Sequence, residues 1–130
     1  MSGWDVSGVT NMSCAFLDKS TFNADISAWD TSSVTNMYKT FYNASAFNQP
    51  LAGWNTSSVT TMQDMFNKVA AFNHLLAAWD TSSVTNMRGM FKQAAAFAQD
   101  ITGWSTPALT DNTNMFNFAT AWLAKCERDR

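Results

Sequence analysis

Tryptophan stands at positions 4, 29, 54, 79 and 104 of the 130-residue chain, every 25 residues without an insertion or deletion. That period constrains the fold more than any other feature, because a unit so short cannot bury a core alone and must stack on its neighbours. The segment Ala28 to Met37 (AWDTSSVTNM) repeats letter for letter as Ala78 to Met87. Five copies, starting at Trp4, Trp29, Trp54, Trp79 and Trp104, fill nearly the whole sequence. Residues 1–130 are therefore expected to form one domain without a linker, with 122–130 as C-terminal cap and tail.

Two apolar sets recur. Met62, Met65, Phe66 and Val69 stand at offsets 0, 3, 4 and 7, as do Met37, Thr40, Phe41, Ala44 and Met87, Met90, Phe91, Ala94. This spacing predicts one face of a two-turn helix. Asn11, Asn36, Thr61, Asn86 and Asp111 precede the sets, and each carries an oxygen able to accept a helix-start amide, a cap worth about 1 kcal/mol. The second set is Phe–Ile/Leu–Trp, as in Phe47, Leu51, Trp54 and Phe97, Ile101, Trp104. Pro50, Gly53 and Gly103 interrupt any helix there and favour a turn. The Thr-Ser-Ser-Val-Thr run that follows is β-branched or small and predicts a short strand.

The expected fold is thus α/β, a leucine-rich-repeat-like solenoid of five 25-residue repeats with one short strand and one short helix per repeat. Strand pairing would space the turns about 4.8 Å apart, giving a rod of roughly 25 Å. Each buried Phe, Met or Leu would contribute about 1.5–3 kcal/mol. Copy five departs from the template through Pro107, Asn112 and Trp122, and Lys125, Glu127, Arg128, Asp129 and Arg130 form a charged tail suited to a terminal cap. Met1 to Gly3 offer no such cap. The N-terminal end is expected to be covered by another chain or by further repeats.

A formal net charge of −2, with 14% charged residues, predicts no basic face for phosphate and no nucleic-acid partner. The longest apolar run, around Leu75 to Trp79, is far too short to span a bilayer. Cys14 and Cys126 would lie roughly 20 Å apart in a stack, beyond disulfide reach, and are expected to be free thiols.

No residue set carries catalysis. His74, the only histidine, stands where other copies have Ala24, Gln49 and Gln99, and predicts a surface residue rather than a base. Asp5, Asp30 and Asp80 follow the tryptophans, and Asp25 and Asp100 precede them; a repeated calcium site would be broken by Asn55, Ser105, Pro50 and Leu75. Turn capping suits these aspartates better. The methionines could serve a soft metal, but their helical spacing favours core packing. No cofactor or metal is expected.

The surface feature that stands out is a hydroxyl ladder. With Val34, Val59, Val84 and Leu109 inward, strand alternation would turn Thr31, Ser33, Thr35; Thr56, Ser58, Thr60; Thr81, Ser83, Thr85; and Thr106, Ala108, Thr110 outward. Those hydroxyl residues form the candidate binding face, and their regular array resembles that of ice-binding solenoids.

The stretch Phe47 to Asn73 (FNQPLAGWNTSSVTTMQDMFNKVAAFN), with its W-[DN]-T-S-S-V-T-x-M-x-x-M-F core, resembles the repeat of BspA-like surface proteins, a mycoplasma-type family similar to leucine-rich repeats. The resemblance covers nearly the whole chain. It implies a cell-surface or adhesion role and supplies no catalytic residues. Alanine-rich stretches (Ala70, Ala71, Ala94 to Ala96) lack the Lys/Asn-rich character of mycoplasmal copies and point to an algal or other eukaryotic source, with an organellar complex as the alternative setting. The expected function is a non-catalytic scaffold for protein–protein interaction, as a surface module or a subunit of a larger assembly. Ice or carbohydrate binding through the Thr/Ser ladder is the alternative.

Overall fold

Turns, with neither a helix nor a strand in each repeat, build this chain. The computed structural model describes residues 3–128; Met1, Asp129 and Arg130 of the expected termini lie outside them. Among the described residues there is one helix, α1 (Thr120–Arg128), and no sheet. The expected α/β arrangement of one strand and one helix per repeat is therefore corrected. What joins the copies is a set of isolated parallel bridges, Asn11 to Asn36, Asn36 to Thr61, Thr61 to Asn86 and Asn86 to Asp111. The pairing is one residue wide at each level.

The amides of copy three show why no helix forms. Those of Met62, Asp64, Phe66 and Lys68 donate to the carbonyls of Asn86, Arg88, Met90 and Lys92 in the next copy, at 2.8–2.9 Å. Those of Met65, Asn67 and Val69 donate three residues back, at 3.1–3.3 Å. Gln63 donates to Thr61 Oγ1. Every amide from 62 to 69 is satisfied, but alternately by its neighbour repeat and by a tight turn. A helix would satisfy the same groups locally, and the two arrangements exclude each other.

This alternation requires left-handed backbone at two places per copy. Asp64 (φ 55°) and Lys68 (φ 64°) adopt it, as do Cys14 and Asp18, Lys39 and Asn43, Gly89 and Gln93, Asn114 and Phe118. For residues with a Cβ the conformation costs about 1–2 kcal/mol each. Inter-repeat hydrogen bonds and burial offset it. The apolar side chains still point where their spacing predicts: Met62, Met65, Phe66 and Val69 are fully buried.

The expected strand is also a turn. Val59 donates back to Thr56, and Asn55 Oδ1 accepts from the Ser57 amide and hydroxyl at 3.0 and 2.7 Å. At Thr60 the backbone bonds across copies, its amide donating 2.8 Å to the Thr35 carbonyl.

Inside, like stacks on like. Phe16, Phe41, Phe66, Phe91 and Phe116 form a column with centroids 5.5–5.7 Å apart and planes within 12°. Trp122 fills the place that Phe97 holds in copy four and lies 3.6 Å from the Phe116 ring. Trp122 already lies within α1, and the next residue, Leu123, replaces the recurring asparagine of Asn23, Asn48 and Asn73 as the helix-forming run continues.

Candidate functional site

The threonines of the hydroxyl ladder form two columns with different fates. Thr31, Thr56 and Thr81 are buried, and their hydroxyls donate to the carbonyls of Asn55, Asp80 and Ser105 at 3.1, 3.1 and 2.8 Å. The expectation that they face solvent is corrected, because the segment turns at these positions instead of extending. Thr106 is half-buried. Thr35, Thr60, Thr85 and Thr110 are exposed, yet each hydroxyl donates to the threonine carbonyl one repeat back, at 3.0–3.2 Å. Ser33 is half-buried, while Ser58 and Ser83 are exposed. The structure therefore leaves one regular exposed column in place of a flat three-wide face.

The aspartates serve turns. Asp5, Asp25, Asp30, Asp80 and Asp100 each accept from the amide and hydroxyl of a Ser or Thr two residues on. The hydroxyl bond first, and then the amide bond, holds each carboxyl below its ordinary range. His74 does the work of Gln49 and Gln99, its Nε2 lying 3.1 Å from the carbonyl of Asn48 as theirs meet Asn23 and Asn73. Cys14 and Cys126 are both free.

One lateral face behaves differently. The inter-repeat bonds hold segments 13–18, 38–43, 63–68, 88–93 and 113–118 one above another. Their outward positions change from copy to copy: Ser13, Tyr38, Gln63, Arg88 and Thr113 in one column, Cys14, Lys39, Asp64, Gly89 and Asn114 in the next. In copies two to four the face carries Lys39, Lys68, Arg88 and Lys92 against the single carboxylate of Asp64. The small net charge of the whole chain hid this local concentration of cations. Numbering residues modulo 25 would have revealed it.

The cations are organised by aromatic rings and by a gap. The Lys39 ammonium lies 5.2 Å from the Tyr38 ring centroid and 5.0 Å from that of Tyr42; Lys68 lies 5.6 Å from the latter on its side. A hydrogen bond with Tyr38 raises the Lys39 pKa above the ordinary lysine range. At the next levels a polar notch of about 240 Å³ opens, lined among others by Asp64, Asn67, Arg88, Gly89 and Lys92. Gly89 makes it: its φ is 61°, and a Cβ there would collide with Asp64 Oδ1. The Asn67 amide donates 3.0 Å to that oxygen. Asn67 is only 6% exposed, and its Oδ1 is buried without a hydrogen-bond partner. Arg88 and Lys92 form no salt bridge among the described residues, although the Arg88 charge helps hold the Asp111 carboxyl below its ordinary range.

Two overlapping stretches, residues 1–80 and 51–128, match the family described as "Mycoplasma protein of unknown function, DUF285". The chain belongs to this family. No curated protein and no solved structure matches it. Membership of DUF285 fixes the chain as a member of a repeat-containing family, and its leucine-rich-repeat form is not what the turns described above display. No helix among the described residues of this DUF285 chain is long and apolar enough to cross a membrane.

Proposed function

We propose that the chain is a non-catalytic scaffold that binds protein partners, as a surface or adhesion module or as a subunit of a larger assembly. One observation carries this reading. Where the repeat holds its letters, the side chains build the stack; where the letters change from copy to copy, they gather on the lateral face of Tyr38, Lys39, Lys68 and Arg88. A stack of like units with one variable face is how repeat proteins present an extended binding surface. The aspartates and His74, which could otherwise serve catalysis, are engaged in turn and inter-repeat bonds. Ice or carbohydrate binding gains no support from a ladder whose first column is buried.

The test is the native size of the endogenous protein in a gentle lysate, with mass spectrometry of what co-elutes. A mass well above 14.4 kDa with fixed companion proteins is expected. A lone species at monomer mass would overturn the scaffold reading.

A further inference from the structure

The notch over Gly89 has features of a binding site that the stack itself does not require. Asn67 Oδ1 is an acceptor taken out of water with no donor supplied, a defect that folded proteins rarely leave without reason. Its own amide nitrogen donates to Asp64 Oδ1, which distinguishes the oxygen of the side chain from its nitrogen. Beside it, Arg88 and Lys92 form no salt bridge among the described residues and offer charge to an anion, although Arg88 lies near enough to Asp111 to help hold that carboxyl below its ordinary range. A ligand suited to both must bring a negative group and an N–H or O–H donor close together.

We propose that this notch binds a carboxylate side chain of an acidic, extended peptide segment of a partner protein, along the face of Lys39, Lys68, Arg88 and Lys92. The inference rests on the scaffold reading above and names the partner's chemistry. The carboxylate meets the Arg88 guanidinium, whose planar fork suits two-point contact, with Lys92 alongside. The adjacent backbone N–H of the peptide supplies what Asn67 and Asp64 accept, after a small turn of the Asn67 side chain. A fully deprotonated anion such as sulfate brings no such donor, and the phosphodiester backbone of DNA brings none either.

Spacing supports an extended segment. The levels of the stack are 5.5–5.6 Å apart at the phenylalanine column. Side chains two apart on an extended chain repeat at roughly 6.5 Å, close to one level of the stack. Acids at alternate positions would therefore meet successive levels, those of Lys39, Lys68 and Arg88, over a stretch of about five residues. Asp64, in the middle, disfavours a ligand that is anionic throughout.

The experiment measures fluorescence anisotropy of a labelled peptide of alternating Glu and Gly on the full chain, with heparin and duplex DNA as competing probes. The peptide is expected to bind, to weaken with salt, and to lose about tenfold or more in affinity in the double variant R88A/K92A. K19A, which changes a lysine outside the notch, is expected to bind like the parent. Unchanged melting of the double variant keeps the comparison free of folding effects. Equal binding by R88A/K92A, no binding of the peptide, or tighter binding of heparin or DNA would each overturn the proposal. If the peptide fails while the endogenous protein still elutes with fixed companions, only the acidic-segment inference falls. A lone monomer in the lysate removes the scaffold reading with it.

Discussion

The indole N–H of Trp79 donates to the carbonyl of Leu51, 28 residues earlier, at 2.9 Å. Trp54 does the same to Ile26 at 3.0 Å and Trp104 to Leu76 at 2.9 Å. The residue that marks the repeat is thus both apolar filling and a polar tie between copies. Trp54→Ala should cost about 3–5 kcal/mol in denaturant unfolding, as for other buried aromatic truncations. Trp54→Phe keeps most of the packing and loses one hydrogen bond, worth about 1 kcal/mol net. A loss under about 1 kcal/mol for the alanine variant would show that the column is not core.

The two threonine columns should respond differently to the same chemical change. Thr56→Val strips the donor from a buried contact with the Asp80 carbonyl and should cost about 1–3 kcal/mol. Thr60→Val alters an exposed hydroxyl whose acceptor, the Thr35 carbonyl, keeps its backbone donor, and should stay within about 0.5 kcal/mol. Equal effects in thermal or urea melts would contradict the placement of Thr56 inside the stack.

Among the glycines, Gly89 is the one where an added Cβ would meet a neighbouring side chain most closely. Gly89→Ala adds a Cβ at φ 61° that collides with Asp64, so it should cost at least about 2 kcal/mol. Removing the collision partner in G89A/D64A should recover part of that loss, giving a coupling of about 0.5 kcal/mol or more in a double-mutant cycle. Strict additivity would place the Asp64 carboxylate elsewhere.

How far the sequence reached follows from what its patterns encode. The apolar spacing of Met62, Met65, Phe66 and Val69 tells which side chains go inward, and all four do. It is silent on where the amides go, and a pair of tight turns with left-handed residues at Asp64 and Lys68 gives the same inward set as a helix. Asn36 and Asn86 were legible as acceptors, and their Oδ1 atoms do accept the amides of Tyr38 and Arg88 at 2.9 Å, but what they open is a turn. The signal against a helix was thin: Gly89, Asn43 and Asn114 suit positive φ, while Lys39, Lys68 and Phe118 do not advertise it. The cationic face was hidden because overall charge averages over all sides of the stack.

Acid should act on the turn aspartates. Each has a folded-state pKa below its ordinary value, so its contribution to stability is complete above the usual carboxylate pKa. That contribution is lost as pH falls through the lowered folded value. The melting temperature should change little between about pH 7 and 5 and fall below about pH 4. Asp80→Asn should keep the turn, since Asn55 makes the same two bonds, and should remove that site's share of the acid sensitivity. A transition centred near neutral pH would contradict this assignment.

The central claim, that amides of the turn segments bond forward to the next copy, has a direct readout in scalar couplings across hydrogen bonds by NMR. The Phe66 amide should couple to the carbonyl of Met90, 24 residues ahead. A coupling instead to the carbonyl of Met62, four residues back as in an α-helix, would contradict the stack described here.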